Sequence, residues 1–109
     1  MSRKLPDNLT KEVQNKLKNY QKEDIIFTKH AEIQALVRDV DLEDVRKNIL
    51  NPERLAFATK QESNKFREKY DCYFPYSKHL CHRYIITINR KIIIVTIIKI
   101  NRDWQKTIG

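Results

Sequence analysis

The sequence holds one glycine, three prolines and two cysteines in 109 residues. A glycine-rich phosphate loop or a dinucleotide-binding fingerprint needs several glycines at fixed spacing, so that backbone amides can approach phosphate closely. ATP and NAD chemistry are therefore set aside, and no cofactor is expected. The same scarcity argues against linkers and low-complexity tracts. Two cysteines do not make a disulfide scaffold. Long apolar runs are also missing: the longest, "KIIIVTIIKI", carries Lys91 and Lys99 and falls short of the roughly 20 residues of a membrane span. The opening "MSRKLPDNLTKEV" lacks the apolar stretch of a secretory leader. A cytoplasmic protein without membrane contact is expected.

What is present is a 40% hydrophobic chain with 33% charged residues, compatible with one packed domain over residues 1–109. The net charge of +8 is uneven: residues 1–54 carry +1 and residues 55–109 carry +7. A basic excess of this kind favours a polyanionic partner, because neutralised phosphates release their condensed counterions.

Leu5, Leu9, Val13, Leu17 and Tyr20 recur at helical spacing and predict a first helix over residues 8–22. Thr28 is placed to cap a second helix whose apolar side would be Ala31, Ile33, Leu36 and Val37. Asp41 is placed to cap a third, with Glu43 and Asp44 in its first turn and Leu42, Val45, Ile49 and Leu50 on its buried stripe. Asn51-Pro52 stops it. From residue 55 the period changes to that of strands. "LAFAT" reads as a strand, "KQESN" as a turn, "KFREKYDCYFPY" as a second strand ending at Pro75, and "CHRYIITI" and "IIIVTIIKI" as two more, joined tightly at Asn89-Arg90. The last two carry isoleucine on both faces and are expected to be central, covered by the helices. The predicted architecture is α+β: an extra N-terminal helix within 1–24, a helical part over 25–54, and an antiparallel sheet of about four strands over 55–104.

The segment "CYFPYSKHLCHRY", residues 72–84, admits three readings. Cys72, His79, Cys81 and His82 are zinc-ligand types, but adjacent strand residues point to opposite faces and there is no C-x2-C knuckle, so no metal site is expected. Lys78, His79, His82, Arg83, Tyr73, Tyr76 and Tyr84 can gather at the rim of the sheet, where rings stack on unpaired bases and cations hold phosphates. The third reading adds metal-free RNA cleavage. A base removes the 2′-OH proton, cations stabilise the phosphate, and an acid protonates the leaving 5′-oxygen. His30, in the first turn of the second helix, joins the candidates if that helix end abuts the rim.

The series "FTKHA", "VRDVDLEDV", "NPERL", the basic strand "HRYIITI" and the closing "KIIIVTIIKI" resembles small uncharacterised domains grouped with the RelE and BrnT toxins, within the barnase, EndoU, colicin and RelE assembly of ribonucleases. The likeness covers roughly residues 25–100. It implies helices laid on a twisted antiparallel sheet whose exposed face takes RNA, metal-independent cleavage, and often a protein antitoxin. Phe27, His30 and Ala31 match the Phe-x-x-His-Ala opening. His82 or Arg83 matches the basic position that opens the penultimate strand, and Lys99 the cation near the end of the last. "CYFPYSKHLCH" is not part of that pattern. The expectation is thus an RNA-binding endoribonuclease of RelE-like toxin type. His82, His30 and Arg83 are its catalytic candidates, and Lys78, His79, Tyr73, Tyr76, Arg90 and Lys99 its nucleic-acid contacts. The alternatives are a non-catalytic nucleic-acid-binding module and a protein-interaction domain.

Overall fold

The computed structural model describes residues 8–63 and 68–108. Helices α1 (Asn8–Leu17), α2 (Lys29–Val37) and α3 (Leu42–Leu50) accompany strands β1 (Ile25–Phe27), β2 (Phe57–Ser63), β3 (Glu68–Ser77), β4 (Leu80–Ile88) and β5 (Ile92–Ile100), and a short α4 (Gln105–Ile108) follows. The sheet has five strands in the order β1-β5-β4-β3-β2. All pairs are antiparallel except β1 with β5, so the α+β class holds with one strand more than expected. That strand is "IIF", three residues, too short to show a period and recognisable only by its partner.

The caps behave as their chemistry requires. Thr28 Oγ1 accepts from Ala31 N at 3.0 Å, and Asp41 Oδ1 accepts from Glu43 N at 2.9 Å, each satisfying a first-turn amide that has no partner within the helix. Pro52 opens a 3-10 turn over Pro52–Arg54. Three boundaries differ from expectation. Helix α1 ends at Leu17 instead of running on to residue 22; beyond it the backbone tightens to i→i−3 bonds, Asn19 N to the Lys16 carbonyl and Tyr20 N to the Leu17 carbonyl, each at 3.2 Å, and the Tyr20 hydroxyl donates to the Asn89 carbonyl of the β4–β5 turn. Leu5, expected on its stripe, lies outside the described residues. Lys60–Ser63, expected in a turn, continues β2 through a bulge between Lys60 and Glu62. Polar residues are tolerated there because β2 is an edge strand, where charge also discourages pairing with foreign strands. The rest of that turn lies outside the described residues. Strand β3 also passes Pro75, reaching Ser77 with a second bulge.

The larger correction concerns α2. Its sheet-facing residues are Ala31 and Ala35, while Ile33, Leu36 and Val37 face away and are exposed. Gln34 holds the helix down by accepting from Ile97 N at 2.8 Å.

Beneath the helices lies the main core. Tyr70, Cys72, Phe74, Tyr84, Ile86, Ile92, Ile94 and Ile97 come from one sheet face, with Val13, Leu17, Val45 and Ile49 above them. Each fully buried isoleucine contributes about 1.5–3 kcal/mol over an exposed one. Lys16 pins α1 to β3 through Glu68 at 2.6 Å. Helices α1, α2 and α3 cover this face alone, which departs from the expected cover of both. On the other face Tyr73, Cys81, Ile100 and Trp104 form a smaller cluster with Phe57 and Ile98, and Ile85 and Ile93 are half-buried. Among the described residues no helix is long and apolar enough to cross a membrane.

Candidate nucleic-acid interface

Strand alternation splits "CHRY" between the two faces, and each face builds its own polar site at the same end of the sheet. On the open face the organiser is Trp104. Its Nε1 donates to the Ser77 carbonyl at 3.0 Å and its ring centroid lies 6.2 Å from that of Tyr73. This folds the segment after β5 back against the β3–β4 turn. A cleft of about 760 Å³ results, lined by Lys78, His79, Arg83, Arg102, Asp103, Lys106 and Thr107. Two lysines, two arginines and an imidazole thus line it beside one carboxylate, Asp103, which lies 4.0 Å from Lys78.

Arg83 is the fixed point of this cleft. Its Nε donates to Asp71 Oδ1 at 2.8 Å and its NH2 nitrogen to Oδ2. The guanidinium lies over the Tyr73 ring, 5.3 Å from its centroid. Asp71 is 3% exposed, so this carboxylate is held out of water by a bidentate partner, the arrangement that arginine's planar fork suits best. The Asp71 hydrogen bonds raise the Arg83 guanidinium pKa still further. A rigid, permanently charged donor at the cleft wall follows.

On the helix-facing side the neighbouring residue meets a different environment. His82 is 6% exposed. Its Nδ1 lies 2.6 Å from the Tyr84 hydroxyl, and Asn48 Nδ2 donates to the hydroxyls of Tyr84 at 2.8 Å and Tyr76 at 2.9 Å. The Tyr76 ring meets the imidazole edge-on at 4.8 Å between centroids, with the Arg54 guanidinium over it at 5.0 Å. Burial pushes His82 below the ordinary histidine value; Asp44 opposes this, while Lys99 and Arg54 add to it. Burial raises the Tyr84 phenol.

The hydrogen-bond accounting also selects a tautomer. With both Asn48 amide protons given to the phenols, the Tyr84 proton is free to reach His82 Nδ1, so the imidazole carries its own proton on Nε2. The only group left over is Asn48 Oδ1, which is buried without a partner. Turning the amide over would satisfy that oxygen but strand a buried NH2 group, the costlier outcome, because orphaned N–H groups are rarer than under-satisfied carbonyls. His82 is therefore a neutral donor whose Nδ1 is already engaged.

The remaining candidates divide between these sites or fall outside both. Lys78 and His79 join Arg83 in the cleft. Tyr73 is buried at 4% and supports Arg83, while Tyr76 is 41% exposed on the helix side, so the two rings do not form one platform. Lys99 is the cross-strand partner of His82 and belongs to the helix-facing side. Arg90 sits in the turn at the other end of β4, roughly 25 Å from Arg83 at about 3.4 Å per strand residue. His30 is exposed on α2, which packs along β5 and β1; His82 lies instead against α3 through Asn48 and Tyr84, so the expected histidine pair is not brought together. Cys72 and Cys81 are free and buried. Cys72 lies in the main core and Cys81 in the smaller cluster, and burial pushes the Cys81 thiol up to about 12. Among the described residues no group of three or more metal-ligand side chains gathers.

Sequence reasoning missed Arg102, Lys106, Asp71 and Asn48. A tryptophan just beyond the last strand, in "INRDWQK", was the available signal that the basic tail folds back. Asp71, one of four acids in the basic half, was the signal for a buried partner.

Comparison with protein-family models, with curated proteins and with solved structures returned no match to this chain.

Proposed function

We propose that this protein binds RNA in the basic cleft of its open sheet face and cleaves it without a metal ion, in the manner of the RelE-like toxins that its sequence resembles. The observation that carries the reading is the composition of the cleft: Lys78, Arg83, Arg102, Lys106 and His79 converge with Asp103 as the one acid among the described lining residues, while the buried Asp71 pairs with Arg83. Fixed cations in such a cleft bind phosphate and oppose the extra charge that develops on it in the transition state. His79 is the cleft residue whose type exchanges protons near neutral pH. In the proposed step it takes the 2′-OH proton, the 2′-oxygen bonds to phosphorus, the bond to the 5′-oxygen breaks, and that oxygen takes a proton from a cleft ammonium. The reading moves the proton role from His82 and His30 to His79, because His82 is neutral, buried and on the opposite face. A protein antitoxin would act by covering the same cleft.

The test is 5′-labelled RNA incubated with the protein in EDTA, with cleavage read on a gel and binding by mobility shift. Wild type should yield fragments. His79→Gln should bind but not cut, Arg102→Ala/Lys106→Ala should bind weakly, and His30→Ala/His82→Ala should still cut wherever it folds. Binding without fragments would leave a non-catalytic nucleic-acid module. Absence of binding at moderate salt would remove the reading.

A further inference from the structure

Helix α2 is apolar on both sides, with small residues toward the sheet and its large aliphatic side chains away from it. Ala31 and Ala35, on the sheet side, are 0% and 2% exposed, while Leu36, Val37 and Ile33 are 82%, 76% and 52% exposed. The alanines let the helix lie close to β5; they do not explain why the three large aliphatic side chains of this helix face water. Together with Lys29 these occupy positions i, i+4, i+7 and i+8, a single stripe. Scattered exposed aliphatics are ordinary, but a contiguous stripe marks an interaction surface.

We propose that a second copy of this chain covers the stripe, the two α2 helices packing antiparallel about a twofold axis. Charge favours this occupant. Residues 29–39 hold Lys29 and Arg38 against Glu32 and Asp39, locally neutral in a chain of +8, so the patch neither draws an acidic partner nor repels its own copy. The end charges are also self-complementary. Lys29 stands at the N-terminal end of the stripe and Asp39 just beyond its C-terminal end, and neither has an ion-pair partner among the described residues. Antiparallel pairing sets each Lys29 beside Asp39 of the other copy, twice by symmetry, as an isologous interface requires. The stripe is small beside a standard interface of about 1,600 Å², so the dimer dissociates on dilution. The proposal does not depend on the RNA reading, since the cleft lies on the other face of the sheet.

Sedimentation velocity across a dilution series, with far-UV circular dichroism as the folding control, tests it. Wild type should pass from dimer to monomer on dilution. Leu36→Gln/Val37→Gln should be a folded monomer throughout, because both side chains are already in water in the single chain. Lys29→Glu should weaken association about fivefold, and both an equimolar mixture of Lys29→Glu with Asp39→Lys and the double variant Lys29→Glu/Asp39→Lys should recover it, because each pairs opposite charges at both contacts. A wild type that stays monomeric at every concentration, or a dimer untouched by Leu36→Gln/Val37→Gln, overturns the proposal. So does a dimer that the double charge swap fails to restore.

Discussion

His82 and Arg83 are consecutive residues on β4, yet they work in opposite electrostatic regimes. Arg83 faces the open side, keeps its charge, and is anchored by a carboxylate and an aromatic ring. His82 faces the helices, where burial removes its charge and three neutral groups, Tyr84, Asn48 and Tyr76, complete its surroundings. Strand geometry alone separates the two, since successive side chains leave opposite faces. The lesson is that a cluster of chemically capable residues in sequence becomes one site only if the pleat allows it. Here the pleat makes two, a charged cleft and a neutral network.

Four variants would break or sharpen that contrast. Asp71→Ala strips the buried partner from Arg83 and should cost the most. Removing one member of a buried pair typically costs about 3–5 kcal/mol, and the lower end applies because the Arg83 side chain is 29% exposed. Urea denaturation measures it, and a loss under about 1 kcal/mol would mean that water can replace Asp71. Asn48→Ala comes next, at about 1–3 kcal/mol, because Tyr76 and Tyr84 lose their donor inside the core. RNA affinity should be unaffected, and a matched loss of affinity would show the two sites to be coupled.

Arg102→Ala/Lys106→Ala should behave in the opposite way. Stability should stay within about 0.5 kcal/mol, while the slope of log affinity against log salt for single-stranded RNA falls by roughly 0.7 for each cation lost. An unchanged slope would place the phosphates elsewhere. The smallest effect is expected from His82→Gln, read as stability against pH. Because the folded-state value of His82 lies below the ordinary 6.5, the unfolded chain takes up a proton first as pH falls. The contribution of His82 is then intact above about 6.5 and is lost on acidification toward its folded value, with a slope of at most about 1.4 kcal/mol per pH unit. The variant should lose that part of the acid slope; if wild type and variant have the same slope there, the imidazole is not buried as described.

Much of the helical half was legible because its signals are local. Thr28 and Asp41 cap their helices through hydroxyl and carboxylate groups a few bonds from the amides they satisfy, and Pro52 ends α3 sterically. The α2 face was misread because Ile33, Leu36 and Val37 obey a helical period without stating which side meets the protein. Small residues on the other side, Ala31 and Ala35, decide that through the close approach they permit. At the candidate site, Lys78, His79 and Arg83 were legible from charge and alternation. Arg102 and Lys106 were not, since their approach depends on Trp104 docking on Ser77 and Tyr73.

The sequence by itself determined the α+β class, the helix caps, the central placement of β4 and β5, and the concentration of positive charge in residues 55–109. These follow from backbone sterics, side-chain period and charge count, which need no knowledge of distant partners. Tertiary structure alone decided that β1 joins the sheet beside β5, that the helices cover a single face, that Asp71 meets Arg83, and that Asn48 closes over Tyr84 and beside His82. Most of these join residues far apart in the chain, and even Asp71 with Arg83, twelve residues apart across the β3–β4 hairpin, depends on a strand register that the packing of the whole core selects.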